Sequence, residues 1–145
     1  MIVSTRGRYA LRVMIDLAEH NNGSYIPLKD IATRQEISLK YIEGIMTLLS
    51  KNNIVDGMHG KGGGYRLIKD TDNYTVGEIL RITEGELAPL PCIKKTSTNC
   101  EFCSRQSFCK TMPMWNDFNK LVNSYFDNIS LADLIARETS NDYVI

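Results

Sequence analysis

A five-glycine stretch, GMHGKGGG at positions 57–64, constrains this chain more than any other feature. It is bounded by Ile54-Val55-Asp56 and Tyr65-Arg66-Leu67-Ile68, two short runs that read as strands. Glycine permits positive φ and close backbone approach, so the stretch reads as the tip of a β-hairpin. Lys61-Gly62 does not make a P-loop. The pattern G-x-x-x-x-G-K-[ST] is absent, and no helix starts where one would be needed.

Two short helices are expected directly before this hairpin. Pro27 starts the first, with Leu28, Ile31 and Ala32 facing inward. Gln35-Glu36-Ile37 forms a tight turn. Ser38 then caps a helix LKYIEGIMTLLSK whose inward stripe is Ile42, Ile45, Met46 and Leu49. Two helices joined by a tight turn read as a helix-turn-helix, and a hairpin placed after it reads as a wing. Lys40 could bond guanine or phosphate, and Glu43 could accept from a cytosine amino group. Tyr41 and Lys51 suit phosphate. His59, Gly60 and Lys61 on the wing can reach a minor groove or a phosphate. The competing reading is an ordinary helical pair with solvated faces, and His59 can equally be a solvent-exposed loop histidine.

The chain opens with a helix from about Arg6 to His20, capped by Ser4 or Thr5, with Leu11, Met14, Ile15, Leu17 and Ala18 as its apolar stripe. Arg6, Arg8 and Arg12 sit on its first turns, where cations oppose the helix dipole. A nearby phosphate backbone would explain them, as would plain solvation. Net charge over the 145 residues is zero, which alone argues against a nucleic-acid partner. Its distribution argues the other way: residues 1–69 carry +4 and residues 70–145 carry −4.

All four cysteines fall between positions 92 and 109, as C-x₇-C-x₂-C-x₅-C. The residues between them are mostly polar, so something other than burial must order the segment. Iron–sulfur clusters are held by such thiolates. Structural zinc usually takes two close cysteine pairs, and here there is one, Cys100 and Cys103. Disulfides need an oxidising compartment. The N-terminus carries charges within its apolar pattern, so it does not read as a signal peptide, and no stretch is long and apolar enough for a membrane. A cytoplasmic, reducing location is expected, which counts against disulfides.

Thr75-Val-Gly-Glu78 is a capping box opening a fourth helix, which ends near Gly85. Pro89 and Pro91 are expected to keep the approach to Cys92 extended. Pro113 starts a long helix on which Trp115, Phe118, Val122, Tyr125 and Ile129 recur every three or four residues, widened by Met114, Leu121 and Phe126. This is the pattern of a helix that pairs with another helix, here its symmetry mate, or that packs on its own domain. Ser130-Leu-Ala-Asp133 is a second capping box, and residues 139–145 are expected to be loose.

The predicted fold is mainly α with a small β-hairpin wing: a winged helix-turn-helix plus a long C-terminal dimerisation helix. The expected division is 1–85 for DNA binding, 86–110 for the cysteine-rich loop, and 111–145 for dimerisation with a short last helix. No nucleophile–base pair or phosphate loop is visible, and His20 has no evident catalytic partner, so no enzyme is expected.

Taken together, STRGRYALRVMIDLA, ISLKYIEGIMTLLSKNNIV, GKGGGYRL, TVGEILRITEG, the cysteines and the tryptophan-started helix resemble the IscR/NsrR family of bacterial winged-helix regulators over nearly the whole chain. The resemblance implies a cytoplasmic homodimer that binds pseudo-palindromic double-stranded DNA as a repressor or activator. It also implies a [2Fe–2S] or [4Fe–4S] cluster sensing iron, cluster supply or nitric oxide, although some members regulate cysteine metabolism without one. The family's three cluster cysteines correspond to Cys92, Cys103 and Cys109. Met112 stands where some members place a histidine ligand, and Arg8 where others borrow an aspartate. Cys100 is therefore the expected fourth ligand. Base contacts are implied at Lys40 and Glu43, and His59 stands where members often carry arginine. The alternatives are structural zinc or thiol-redox sensing on the same DNA-binding frame, or a cluster carrier that does not bind DNA.

Overall fold

A computed structural model describes residues 1–95 and 103–137. The elements follow in chain order: α1 (Thr5–Glu19), α2 (Leu28–Gln35), α3 (Leu39–Lys51), β1 (Val55–Met58), β2 (Gly64–Leu67), α4 (Val76–Glu84), α5 (Met112–Asp127) and α6 (Leu131–Ala136). Single 3₁₀ turns cover Thr71–Asn73, Pro91–Ile93 and Gln106–Phe108. This is a mostly helical fold with a two-stranded antiparallel hairpin, as the sequence predicts.

Local chemistry sets the helix starts. Ser4, Ser38, Thr75 and Ser130 each accept a backbone N–H of the first turn, satisfying a donor that would otherwise be orphaned. At Ser130 the box is reciprocal, with the Asp133 carboxylate accepting from the Ser130 N–H. At Thr75 it is only half formed, contrary to expectation. The Glu78 carboxylate instead takes the Lys69 ammonium at 3.2 Å, so an ion pair outcompetes the return bond. Glu36 turns the chain between α2 and α3 in a left-handed conformation.

The main core gathers Ala10, Val13, Met14 and Leu17 of α1, Ile31 of α2, the α3 stripe Ile42, Ile45, Met46 and Leu49, and Ile79 of α4. Leu131 of α6 joins it at 1% exposure, so the last helix belongs to the first core. Tyr74 is fully buried there with a satisfied hydroxyl. It donates to the Ile54 carbonyl at 2.8 Å and accepts from the Ile68 and Lys69 N–H groups at 2.9 and 3.0 Å. Two backbone bonds, Val76 N–H to Ile129 O and Leu131 N–H to Tyr74 O, tie the start of α4 to the α5–α6 junction. Asp16, also fully buried, is bonded by Arg34 and Gln35.

The hairpin is longer toward its tip than expected. Its ladder runs from Val55–Leu67 to Met58–Gly64, taking in Gly57 and Gly64, which the sequence alone places in the turn. Gly64 is required there. Its φ is +152°, and a Cβ at that position would lie 2.1 Å from the Ile26 carbonyl oxygen. That close approach lets Ile26 pair with Tyr65 through two backbone bonds of 2.8 and 2.9 Å, adding a third short rung beside β2.

Two expectations change further along. Leu90, just before Pro91, is extended as expected, but Pro91 itself opens the 3₁₀ turn Pro91–Ile93, so Cys92 sits in a turn. Proline's fixed φ near −65° suits the first position of such a turn as well as an extended segment. Ile129 does not belong to the α5 seam. The helix ends at Asp127, and Ile129 is 8% exposed in a second cluster with Val76, Leu80 and Leu87 of its own chain. Residues 139–145 lie outside the described residues. Among the described residues, no helix is long and apolar enough to cross a membrane.

Candidate nucleic-acid interface and cysteine segment

The outward face of α3 is open. Ile42, Ile45, Met46 and Leu49 turn inward, leaving Lys40, Glu43, Gly44, Thr47 and Lys51 in solvent. Helical spacing puts Lys40, Gly44, Thr47 and Lys51 on one stripe, about 16 Å from end to end. A groove on one side of this stripe is lined by Arg6, Ser38, Lys40, Tyr41 and Gly44. A second groove, on the other side, lies between α2, α3 and the wing, with Glu43, Thr47, His59 and Gly60 among its walls.

Each side chain is placed by a neighbouring element. The Ser38 hydroxyl caps α3 through the Tyr41 N–H at 3.3 Å. The Tyr41 ring meets Tyr9 of α1 edge to face, with centroids 5.4 Å apart. This contact holds α1 beside α3 and brings Arg6 to the first groove. Arg8 does not join it. Two residues on, it points about 200° around the helix from Arg6, and its guanidinium donates to Thr5 Oγ1 at 3.2 Å. Arg12 is occupied elsewhere, bonding Gln35 and stacking over the Tyr9 ring at 5.1 Å. Lys61 stands exposed at the wing tip.

Residues that the sequence reading missed also line the wing-side groove. Leu39 and Met58 supply exposed apolar surface, and Lys29 on the first turn of α2 adds a cation with no ion-pair partner among the described residues. The available signal was positional, because the first helix of a helix-turn-helix crosses the nucleic-acid backbone and Lys29 opens that helix.

Cys92 lies in the Pro91–Ile93 turn and is half-buried. Cys103 is exposed, Cys109 is half-buried just before α5, and Cys100 lies outside the described residues. The Cys109 sulfur is 3.3 Å from Thr111 Oγ1. Hydrogen bonds from the Thr111 hydroxyl and backbone, with Met112 N–H and the Arg105 charge, hold its thiol below the usual range. The donor chemistry suits a thiolate-held metal or cluster. The described geometry does not preassemble one: no three His, Cys, Asp or Glu side chains among the described residues approach closely enough to hold a metal ion.

The expected dimer residues divide into two stripes on α5. Trp115, Val122 and Phe126 are half-buried, Phe126 packing on the second cluster, and nearby Arg81 of α4 grips Asp127 at 2.6 and 2.9 Å and Asn123 at 2.8 Å. Met114, Phe118, Leu121 and Tyr125 form the outward stripe, exposed by 54, 41, 67 and 57%.

Comparison with known proteins agrees with this fold. A family model described as Rrf2, iron-dependent transcriptional regulator, matches residues 3–137. The HTH-type transcriptional regulator IscR of Yersinia pseudotuberculosis is 36% identical over 135 residues, covering 93% of this chain and 79% of the relative. Among solved structures, CymR (YrzC), the global cysteine regulator of B. subtilis, superposes with a TM-score of 0.72 at 30% identity, covering 93% of this chain and 96% of that one. IscR of T. potens gives 0.71 at 32% identity, covering 93% and 86%. The chain belongs to the Rrf2 family of transcriptional regulators.

Proposed function

We propose that this regulator is a cytoplasmic, non-catalytic homodimeric repressor that docks α3 in a major groove of double-stranded DNA, with the wing on the flanking minor groove. The observation carrying this reading is the uncovered α3 stripe, with Arg6 on one flank and His59 and Gly60 on the other. Lys40 and Glu43 read bases, while Ser38, Tyr41, Lys51 and Lys61 meet the backbone. The outward α5 stripe of Met114, Phe118, Leu121 and Tyr125 meets its symmetry mate, which sets the spacing of two half-sites on a pseudo-palindromic operator.

The cysteines give the regulator its input. Cys92, Cys103 and Cys109, with Cys100 as fourth, would hold an iron–sulfur cluster, which when bound supplies a redox-active, nitric-oxide-reactive centre. Cys92 and Cys109 bracket the connection from α4 to α5. Gathering the thiols would therefore fix the course of that connection. A second reading, thiol-redox control without a cluster, is favoured by the same ungathered, accessible sulfurs.

The test begins with protein purified without oxygen. Matched iron and sulfide are expected, falling with Cys92→Ser, Cys103→Ser, Cys109→Ser and Cys100→Ser. A metal-free protein moves the function to thiol chemistry, and a colourless protein with one zinc per chain makes the segment structural. Binding is then measured by fluorescence anisotropy on a duplex selected from a random pool. Loaded and unloaded protein should differ about 5- to 150-fold at one salt concentration. Equal binding refutes the coupling, and failure to enrich any duplex refutes the DNA reading.

A further inference from the structure

The wing is a very small sheet. Two strands of four residues carry a tip whose internal backbone bond is Gly63 N–H to Gly60 O at 3.0 Å. An isolated two-stranded hairpin is marginal in water, and its direction is set by whatever its base is fastened to. Here the Ile26–Tyr65 backbone pair and the Tyr74 hydroxyl hold the base, and a cluster of side chains on its outer side adds to them. Asp56 on β1 stands opposite Arg66 on β2 in the ladder register. One oxygen of the Asp56 carboxylate, Oδ2, accepts both the Tyr25 hydroxyl at 2.7 Å and Arg66 Nε at 3.1 Å. The Arg66 guanidinium also donates to the Gly23 carbonyl at 3.1 Å and lies over the Tyr25 ring, 4.3 Å from its centroid. Tyr25 and Gly23 belong to the loop between α1 and α2, next to Ile26, which pairs with Tyr65. Three side chains and one carbonyl thus lock the hairpin base to the frame that carries the helix-turn-helix.

We propose that Tyr25, Asp56 and Arg66 are positioning residues that aim the wing, and so fix where His59 and Lys61 meet DNA. This rests on the DNA-binding reading above. None of the three lines the grooves flanking α3; Asp56 and Arg66 line a separate depression with Ser50 and Asn53. They act by holding the tip in one direction. Ligand binding to a frame that is only partly in its competent arrangement is weakened by that fraction. Releasing the clamp therefore costs affinity without removing a contact.

The test uses the full chain carrying Asp56→Asn, with Tyr25→Phe as a milder second variant. The first readout needs no DNA: backbone ¹⁵N order parameters at Gly60, Gly62 and Gly63. They are expected to fall in Asp56→Asn while the thermal unfolding midpoint of the frame moves little. The second readout is a double-mutant cycle on the selected duplex. Alone, Lys61→Ala weakens binding and lowers the slope of log K against log salt by about 0.9, the value for one phosphate contact. With Asp56→Asn already present, Lys61→Ala is expected to cost about twofold or less. Tip order equal to that of the unsubstituted protein overturns the proposal, as does a Lys61→Ala effect that adds in full. If the unsubstituted chain binds no duplex at all, the DNA reading fails, and the clamp's role on DNA falls with it; that control separates the two failures.

Discussion

Arg34 grips the buried carboxylate of Asp16 with both arms of its guanidinium, Nε 3.0 Å from Oδ2 and Nη2 2.7 Å from Oδ1. Gln35 adds a third bond at 3.0 Å, so α2 is riveted to α1 at the entry to the helix-turn-helix. Burial alone would raise the Asp16 pKa. The Arg34 and Gln35 bonds, with the Arg34 and His20 charges, outweigh it and hold the group below the usual carboxylate range. A carboxylate with a lowered folded pKa contributes stability above its unfolded pKa of about 3.9 and loses it as pH falls through the folded value. Arg34→Met should cost about 3 kcal/mol at neutral pH, because it strands a buried charge. Urea unfolding at pH 7 and on the acid side checks both statements. Asp16→Asn should show a smaller acid-side loss than the unsubstituted chain, and an identical loss would remove Asp16 as its cause.

Tyr74 closes three backbone groups with one hydroxyl. Tyr74→Phe keeps the ring and strands the Ile54 carbonyl and the Ile68 and Lys69 N–H groups near the core. A loss of about 1–3 kcal/mol is expected in chemical denaturation, with little change in DNA contacts. A neutral substitution would mean that water reaches those groups.

The two stripes on α5 should separate in solution. Leu121→Glu places a charge on the outward stripe and is expected to give folded monomers by sedimentation equilibrium, with weaker binding to a two-half-site duplex. Ile129→Ala is expected to cost about 2–4 kcal/mol of stability and to leave the association constant of the folded protein unchanged. The reverse pattern would return Ile129 to the interface.

On DNA, Lys29 and Glu43 should behave differently although they line one groove. Lys29→Ala is expected to weaken binding to selected and random duplexes alike, lowering the salt slope by about 0.9. Glu43→Ala should leave the slope intact and relax preference at one base pair by about 1–3 kcal/mol. Competition anisotropy at several salt concentrations distinguishes them.

Local rules carried most of the fold. Three serine caps and the four-residue stripe of α3 stand where side-chain chemistry and a 3.6-residue period put them. Several misreadings share one cause, competition from residues outside the local segment. Ile129 continues the spacing of the α5 seam, yet Asn128 ends the helix and the Val76 N–H takes the Ile129 carbonyl. Trp115 and Leu121 sit on stripes of equal period, and only the packed fold distinguishes the half-buried stripe from the exposed one. Glu78 was legible as a capping residue but not as the partner of Lys69, and nothing local pairs Asp16 with Arg34 across eighteen positions. The cysteine spacing spoke for a shared ligand site, but the described residues do not gather the three thiols that fall among them. Spacing records donor chemistry, whereas convergence depends on what the donors bind.

The bonds from Val76 to Ile129 and from Leu131 to Tyr74 have a consequence for how the chain is made. Synthesis is vectorial, so the helix-turn-helix and its wing leave the ribosome long before Leu131, which completes their core. Until α6 emerges, the surface that Leu131 will cover stays open to water. A chain that stops short of Leu131 would then carry the outward face of α3 and the wing on a frame that has not closed. Closure of that frame is thereby deferred until Leu131 has been made.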